Sequence, residues 1–350
     1  MYTYKIMRNN ACRLTSVIFK DSLLILFLSI SFLCRGQSVR LRENFDSNWQ
    51  FHKGDIAMYR AIKAGMQGGL TDQNVKVVEG EYAKIAYTDK NTEAVYNPND
   101  WEKVDLPHDW LVEESFINSN INGLATRGFL PAGIGFYRKE FEIPESDEGK
   151  KISIEFDGIF RNSTVWVNGH LMGNHESGYT PSVYDLTEVL RYGGEGTNVI
   201  LVKVDATDYE GWWYEGAGIY RHTWIVKTNK IHVAHFGTYV TTPSVSVEKA
   251  TVNIRTKVQN EENKTKEVEL VSKIVDVKSG RVVDSLSSSG LISPYCNKKF
   301  VQSGVIEDPK LWSPETPNLY NIRTEVWNKG ELVDNYETIF GVRTIAFTNK

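Results

Sequence analysis

The side chains that could do chemistry are few, and their spacing matches no common catalytic motif. His170 and His175 lie five residues apart around a turn, without the helical spacing or the cysteine partner of a metal site. Ser163 and Ser177 lie outside any nucleophile-elbow pattern, and no phosphate-binding GxxxxGKS or GxxxxGKT motif occurs. These patterns predict no metal ion, no cofactor and no activated nucleophile.

The aromatic content indicates recognition instead. The chain contains 9 Trp, 17 Tyr and 15 Phe among its 350 residues. Many of these rings must fill the core, but aromatic residues on a β scaffold also suit flat apolar ligands such as sugar rings. Formal charge is −4, from 40 Lys and Arg against 44 Asp and Glu, and no basic cluster is interleaved with aromatic residues. This charge pattern argues against a nucleic-acid partner, which requires a basic face.

The elements that must position these residues are predicted to be strands. Apolar and polar residues alternate with period two in 152–156, 252–258 and 268–274, which is typical of strands with one solvated face. Asn168-Gly169 lies between two apolar runs and predicts a hairpin with a type I′ turn. The segment 184–191, YDLTEVLR, predicts a short helical turn at most. The fold class is therefore all-β, built from sandwiches.

A change in composition near residues 228–240 divides the chain. Aromatic residues and Gly-rich turns are dense before this point, whereas Val, Ile, Thr and Lys alternate after it. The second segment, 236–347, has the length of an immunoglobulin-like sandwich but lacks the cysteine pair of antibody domains. Residues 55–100 are irregular and predict a long insertion after the first strands.

The N-terminus resembles a secretory signal. Basic residues precede an uncharged apolar stretch, 22–34, which is shorter than the roughly 20 residues needed to span a bilayer. We therefore expect residues 1–36 to be a signal peptide, the mature chain to be secreted or periplasmic, and no membrane span. Cys296 then remains as a lone cysteine, which predicts no internal disulfide and a small buried thiol.

Several stretches, taken in order, resemble glycoside hydrolase family 2, which contains β-galactosidases, β-glucuronidases and β-mannosidases. The matching stretches are LPHDW (106–110), GFYRKEFEIP (135–144), the long run 155–190, GWWYEGAGIYRHTWI (211–225), LWSPETPNLYNIRTEV (311–326) and FGVRTI (340–345). The resemblance implies a jelly-roll sugar-binding domain over 37–235, an immunoglobulin-like domain over 236–347, and then a catalytic β/α barrel. The chain resembles the first two domains only, and its last residues resemble the segment that leads into the barrel.

The resemblance places the catalytic residues outside this chain. Retaining glycosidases use two carboxyl groups about 5–5.5 Å apart, and in this family both are glutamates on strands of the barrel. A barrel needs about 250 residues of alternating strands and helices, which this sequence does not contain. The Asn260-Glu261 pair matches the Asn-Glu dipeptide of the family's acid/base residue, but its charged surroundings predict a solvated hairpin tip. We therefore expect no catalytic residue here.

The resemblance also implies that a loop of the jelly roll reaches the mouth of the barrel, and DYEGWWYEGAGIYR (208–221) is the candidate for that loop. Rings suited to stack on a sugar face, and carboxylates suited to bind its hydroxyl groups, are Trp212, Trp213, Tyr214, Asp208 and Glu215. The alternative is that the rings belong to the core and the glycines only turn the chain. In LPHDW, Asp109 is suited either to orient a hydroxyl or to cap nearby backbone amides.

The sequence therefore predicts the non-catalytic front of a secreted, β-galactosidase-like family 2 glycosidase. Its partners would be a terminal β-linked sugar and the missing catalytic barrel. The alternative is a stand-alone carbohydrate-binding or scaffolding module without enzymatic activity.

Overall fold

The computed structural model describes residues 39–56, 82–86, 97–117, 129–208 and 215–347, and these are almost entirely strands and turns. The part before Thr228 contains ten described strands in two antiparallel sheets. The strands are β1 (Leu41–Asn44), β2 (Trp49–Lys53), β3 (Glu102–Val104), β4 (Ile134–Phe141), β5 (Lys151–Phe156), β6 (Ser163–Val167), β7 (His170–His175), β8 (Ser182–Asp185), β9 (Asn198–Asp205) and β10 (Thr223–Thr228). One sheet has the order β1-β10-β5-β8, and the other has the order β3-β2-β4-β9-β6-β7. We call this pair the first sandwich.

The core of the first sandwich lies between the facing sides of its two sheets. Alternate residues of β5, among them Ile152 and Ile154, face inward and meet Val165 of β6 and Val202 of β9. Each of these side chains is fully buried. Burial of apolar surface contributes about 25 cal/mol per Å², so the period-two pattern of the sequence is also the main source of stability here.

The outer face of the six-stranded sheet is covered as well. Phe136, Trp166 and Leu201 point to that side and pack against Tyr82 and Ile85, which lie on one helical turn within the long β2–β3 connection. This turn is the described part of the insertion expected at 55–100, whose other residues from 57 to 96 lie outside the described residues. Because both faces of this sheet are covered, successive residues of β9 are buried, and its sequence is a nearly continuous apolar run.

The remaining described strands form a second, seven-stranded sandwich. They are β11 (Ile231–Val245), β12 (Lys249–Asn260), β13 (Lys266–Asp276), β14 (Val282–Ile292), β15 (Cys296–Glu307), β16 (Tyr320–Asn328) and β17 (Glu331–Phe340). They pair in the orders β11-β12-β15 and β14-β13-β16-β17. Three strands facing four is the immunoglobulin-like arrangement, with Val258, Leu270 and Val326 among the side chains buried between the sheets.

The two sandwiches are joined by a short connection and by ion pairs. Only Asn229 and Lys230 separate β10 from β11, and the Asn229 Oδ1 accepts a 3.0 Å bond from the Ile231 backbone N–H. Arg40, which precedes β1, forms a two-pronged pair with Asp334 of β17 at 3.0 and 2.8 Å. We call this pair the Arg40–Asp334 clasp.

The hairpin predicted at Asn168-Gly169 is confirmed, since β6 pairs with β7 and both turn residues have positive φ, 49° and 83°. The helical turn predicted for 184–191 is wrong at its start. Tyr184 and Asp185 lie in β8 and pair with β5, because tertiary pairing overrides a weak local preference. Among the described residues, no helix has the length and apolar character to cross a bilayer.

Two other local predictions are also wrong. Cys296 opens β15 with its side chain exposed rather than buried. Asn260 does not lie at a hairpin tip, because β12 and β13 belong to different sheets. Its buried side-chain amide instead donates to the carbonyls of Lys264, Ile292 and Ser293 at 2.8–3.1 Å, which fixes the crossing between the sheets.

Candidate functional site

Two of the stretches singled out in the sequence meet in the structure. The backbone N–H of His108 donates to the carbonyl of Ile219 at 2.9 Å, and that of Trp110 donates to Ala217 at 3.1 Å. LPHDW therefore lies alongside the end of the aromatic loop as a short ladder. This pairing fixes where the loop of residues 208–221 returns to the sandwich.

Asp109 holds the two segments together through one of its oxygens. Its Oδ1 accepts hydrogen bonds from the backbone N–H groups of Leu111 at 3.0 Å and Ala217 at 2.9 Å. The first bond caps the short 3-10 helix Trp110–Glu113. The other oxygen, Oδ2, accepts no hydrogen bond from the described residues. It lies against Gly216, where an added Cβ would come within 2.1 Å of it.

Gly218 lets the segment around Phe160 pair with the end of the loop. Its φ is +136°, and an added Cβ would lie 2.4 Å from the carbonyl oxygen of His108 and 2.5 Å from the hydroxyl of Tyr137. Its N–H and C=O both bond to the backbone of Phe160, at 2.8 Å each. Glycine is required at this position because the backbones approach too closely for any side chain.

The buried pair of His108 and Tyr137 contacts this ladder on its core side. The Nδ1 of His108 lies 2.7 Å from the hydroxyl oxygen of Tyr137, and that hydroxyl donates to the His108 carbonyl at 3.3 Å. Phe51 packs against both rings and stacks on Trp110. Burial lowers the pKa of His108, against the opposing charges of nearby carboxylates, and burial raises the pKa of Tyr137 well above its ordinary value. Both groups are therefore neutral near pH 7 and act as a rigid base for the loop.

The predicted site residues occupy different environments. Asp208 is exposed, three residues after β9 ends, whereas Glu215 is buried with 4% of its surface exposed. Asp109 is half-buried, with Oδ2 directed to the loop side. The three aromatic candidates lie outside the described residues and are Trp212, Trp213 and Tyr214. The structure thus brings Asp109 next to Gly216 and places Glu215 beside them in the chain.

Sequence reasoning did not identify Tyr137, Phe160 or Gly218 as parts of this arrangement. Tyr137 is one of several aromatic residues in a strand, and Phe160 contributes through its backbone. The only local signal was the paired glycines of GAG, which indicate close backbone approach. Within the described ranges, no group of three or more His, Cys, Asp or Glu side chains is arranged to hold a metal ion.

Fold and site together define an all-β protein with two sandwiches in series, the first of which carries a rigidly anchored loop suited to recognition. Two family models match this chain, one over the first sandwich and one over the second. Glycosyl hydrolases family 2, sugar binding domain, matches residues 69–229, and glycosyl hydrolases family 2 matches residues 231–343. The chain therefore belongs to glycosyl hydrolases family 2.

Similar proteins agree with this assignment. A curated beta-galactosidase of Bacteroides ovatus is 37% identical over 88% of this chain and 32% of its own length. A beta-glucuronidase of Formosa agariphila is 28% identical over 72% of this chain and 28% of its own length. The chain thus spans about a third of the length of these relatives.

Solved structures show the same relation. A family 2 member from Bacteroides cellulosilyticus superposes with a TM-score of 0.70 at 30% identity, over 87% of this chain and 37% of that one. A beta-glycosidase from Bacteroides vulgatus gives a TM-score of 0.69 at 29% identity, over 88% and 34% of the two chains.

Proposed function

We propose that this chain is the carbohydrate-recognising, non-catalytic front portion of a secreted or periplasmic family 2 glycoside hydrolase. Its jelly-roll sugar-binding domain would span 37–235 and its immunoglobulin-like domain 236–347. The parent reaction would be hydrolysis of a terminal β-linked sugar with retention, of β-galactosidase type. The relatives named above as a beta-galactosidase and a beta-glucuronidase support this reaction class, and both extend well beyond the matched part.

The observation that carries the proposal is the arrangement at Asp109. One carboxylate oxygen anchors the loop through Ala217, and the other lies on the loop side without a donor from the described residues. A carboxylate oxygen held rigidly beside a loop that contains two tryptophans and a tyrosine suits a sugar, whose hydroxyl groups donate while its ring face stacks. Because the Leu111 and Ala217 amides already hold the Asp109 side chain, little ordering entropy of this side chain is lost when ligand binds.

Binding and catalysis are tested separately. The purified chain is titrated with galactose and then assayed with the nitrophenyl β-glycosides of galactose, glucuronic acid and mannose. We expect weak sugar binding that falls when Trp212 and Trp213 are both replaced by serine. We expect no turnover above a mock purification, because the family resemblance places both catalytic carboxylates on strands of the barrel and not in the two matched domains.

Turnover that survives removal of contaminating enzymes would overturn the non-catalytic assignment. Binding unaffected by the double serine variant would overturn the assignment of the loop. A stand-alone module would also bind sugar, so binding does not distinguish it from the front portion of an enzyme. The DNA sequence that follows the Lys350 codon does. A reading frame that encodes a barrel there supports the parent enzyme, and its absence supports the module.

A further inference from the structure

A cleft of about 390 Å³ lies where the two sandwiches meet. One wall comes from the first sandwich, with Arg42 of β1 and Glu155 of β5. The other wall comes from the second sandwich, with Phe236 of β11 and Tyr336 of β17. Its volume falls within the roughly 300–1,000 Å³ of small-molecule sites. The described residues of the loop, Asp208 and 215–221, are not among its walls.

Phe236 is presented to this cleft by an irregularity in β11. The register of β11 against β12 shifts between Val233 and Thr238, and Phe236 has a φ of +48° with 68% of its surface exposed. An aromatic residue in the left-handed region is a strained outlier, and bulges of this kind frequently direct a side chain at functional sites.

The bulge is fixed by its neighbours. An added Cβ on Gly237 would lie 2.6 Å from the carbonyl oxygen of Ala234 and 3.0 Å from that of Lys257. The Phe236 ring lies 4.0 Å from the ring of His235, centre to centre, and Tyr336 lines the same cleft. The backbone that carries the exposed Phe236 ring is thus fixed by close contacts, and the ring lines the cleft.

The polar groups of the opposite wall are held in a chain of ion pairs. Glu155 receives Arg42 at 3.2 Å on one oxygen and His235 at 2.9 Å on the other. Arg42 also reaches Asp157 at 3.4 Å and covers the ring of Trp224 at 3.8 Å. These side chains are ordered before any ligand arrives, and the Arg42 and Asp157 side chains remain about 40% exposed, at 44% and 36%.

Charge selects the class of ligand. The walls of the cleft carry the carboxylates of Glu155, Asp157 and Glu337 against the guanidinium groups of Arg40 and Arg42. Arg40 is already paired with the buried carboxylate of Asp334. The groups that face a ligand therefore have no excess of positive charge, which disfavours an anionic ligand, whereas hydroxyl groups are suited to carboxylate and guanidinium partners alike.

We propose that the cleft between the sandwiches is a second carbohydrate site, which takes a neutral sugar ring stacked on Phe236 with its hydroxyl groups on the Arg42–Asp157 wall. This site shares no wall residue with the described part of the loop of the first sandwich. It would hold part of a saccharide away from the region where the proposed function places the terminal sugar.

The test uses the full chain in which Trp212 and Trp213 are replaced by serine, so that the loop does not contribute. Galactose is titrated and followed by saturation-transfer NMR, with glucuronic acid as the anionic comparison. We expect galactose to bind this double variant, and Phe236→Ala added to it to weaken binding about threefold to tenfold. Tyr239→Ala is the matched control, since Tyr239 lies on the same strand with 59% of its surface exposed and does not line the cleft.

Loss of all galactose binding in the double serine variant would overturn the second site and leave the loop site standing. Equal galactose affinity with and without Phe236, or glucuronic acid binding as tightly as galactose, would also overturn it. Equal affinity in the parent and the double serine variant would instead overturn the loop site and leave the cleft. Circular dichroism confirms that each variant keeps its strand content.

Discussion

At the scale of single residues, Asp109 combines a structural and a recognition role on its two oxygens. Oδ1 holds the backbones of Leu111 and Ala217, and Oδ2 is the oxygen on the loop side. Both alternatives considered for this residue, capping backbone amides and orienting a hydroxyl, are therefore compatible with one geometry. A substitution that replaces one oxygen, compared with one that removes both, separates the two roles.

Asp109→Asn and Asp109→Ala should differ in their effects. Asparagine keeps a side-chain oxygen for the two amides and should change the free energy of unfolding by less than about 1 kcal/mol, whereas alanine removes the acceptor and should cost about 1–3 kcal/mol. If Oδ2 binds a hydroxyl group, both variants should bind galactose more weakly. Urea denaturation and sugar titration measure the two effects. An asparagine variant as unstable as the alanine variant would contradict the division of roles.

Residues with a local conformational signal were predictable, and residues fixed by distant partners were not. Asn168-Gly169 was predicted because both residues tolerate positive φ, and both adopt it. Phe236 also has positive φ, but nothing in the sequence AHFG predicts this conformation for an aromatic residue. The bulge arises from the register of β11 against β12, where Gly237 lies close to the Lys257 carbonyl. The site followed the same rule, since Asp109 was recognised within LPHDW while its partner Ala217 lies 108 residues away.

At the scale of elements, the first and last described strands are tied through buried charges. Asp334 of β17 is fully buried and accepts from both the Arg40 guanidinium and the Val233 backbone N–H, the latter at 2.7 Å. The Arg40 guanidinium also donates to the Val233 carbonyl at 2.6 Å. Strand β1, which follows Arg40, is only four residues long and lies at a sheet edge. The Arg40–Asp334 clasp therefore holds an element that has little pairing of its own.

Asp334→Ala should destabilise the chain by about 3–5 kcal/mol, because it breaks a largely buried ion pair and removes the acceptor of the buried Val233 backbone N–H. The matched control is Glu307→Ala, which removes an exposed pair with Lys249 at 3.7 Å. That change should cost no more than about 1 kcal/mol. Guanidinium chloride denaturation compares the two variants. Similar denaturation midpoints for the two variants would show that the Arg40–Asp334 clasp contributes little to the free energy of unfolding.

Element type followed from period two almost everywhere, because one face of each strand is buried. The exception is instructive, since Tyr184 lies opposite Ile154 of β5 in a strand and not in the helical turn predicted for it. The pattern of 184–191 is too short to specify an element by itself, so pairing with β5 determines that its first residues form a strand. The pairing order of the strands also could not be read from the sequence, because it depends on contacts such as β1 with β10 across most of the first sandwich.

At the scale of the whole molecule, ionised carboxylates join the two sandwiches and make stability depend on pH. Burial opposes ionisation of Glu155, but its hydrogen bonds and charge contacts with His235 and Arg42 outweigh burial and hold its pKa below the ordinary 4.5. In the unfolded chain the carboxyl group returns to its ordinary value. The unfolded state then binds more protons between the two values, so this contribution is complete above about pH 4.5 and is lost as pH falls through the folded value.

Glu155→Gln should therefore lower the free energy of unfolding at pH 7. The difference in unfolding free energy between variant and parent should become smaller as the pH falls. Glutamine cannot ionise, so the charge contribution of Glu155 is absent in the variant at every pH, while the parent loses its own in acid. Urea midpoints at pH 7, 5 and 3.5 measure the difference. A gap that stays constant across this range would mean that packing, and not the ionised carboxylate, sets the effect.

The Arg40–Asp334 clasp also imposes an order in time. Its two residues are 294 positions apart in the chain, and ribosomes add about 5–20 residues per second. Arg40 is therefore synthesised about 15–60 s before Asp334. During that interval the first sandwich can close only without the clasp, and β1 is held against β10 by its short strand pairing alone. Completion of the second sandwich is thus the event that fixes the N-terminal strand of the first.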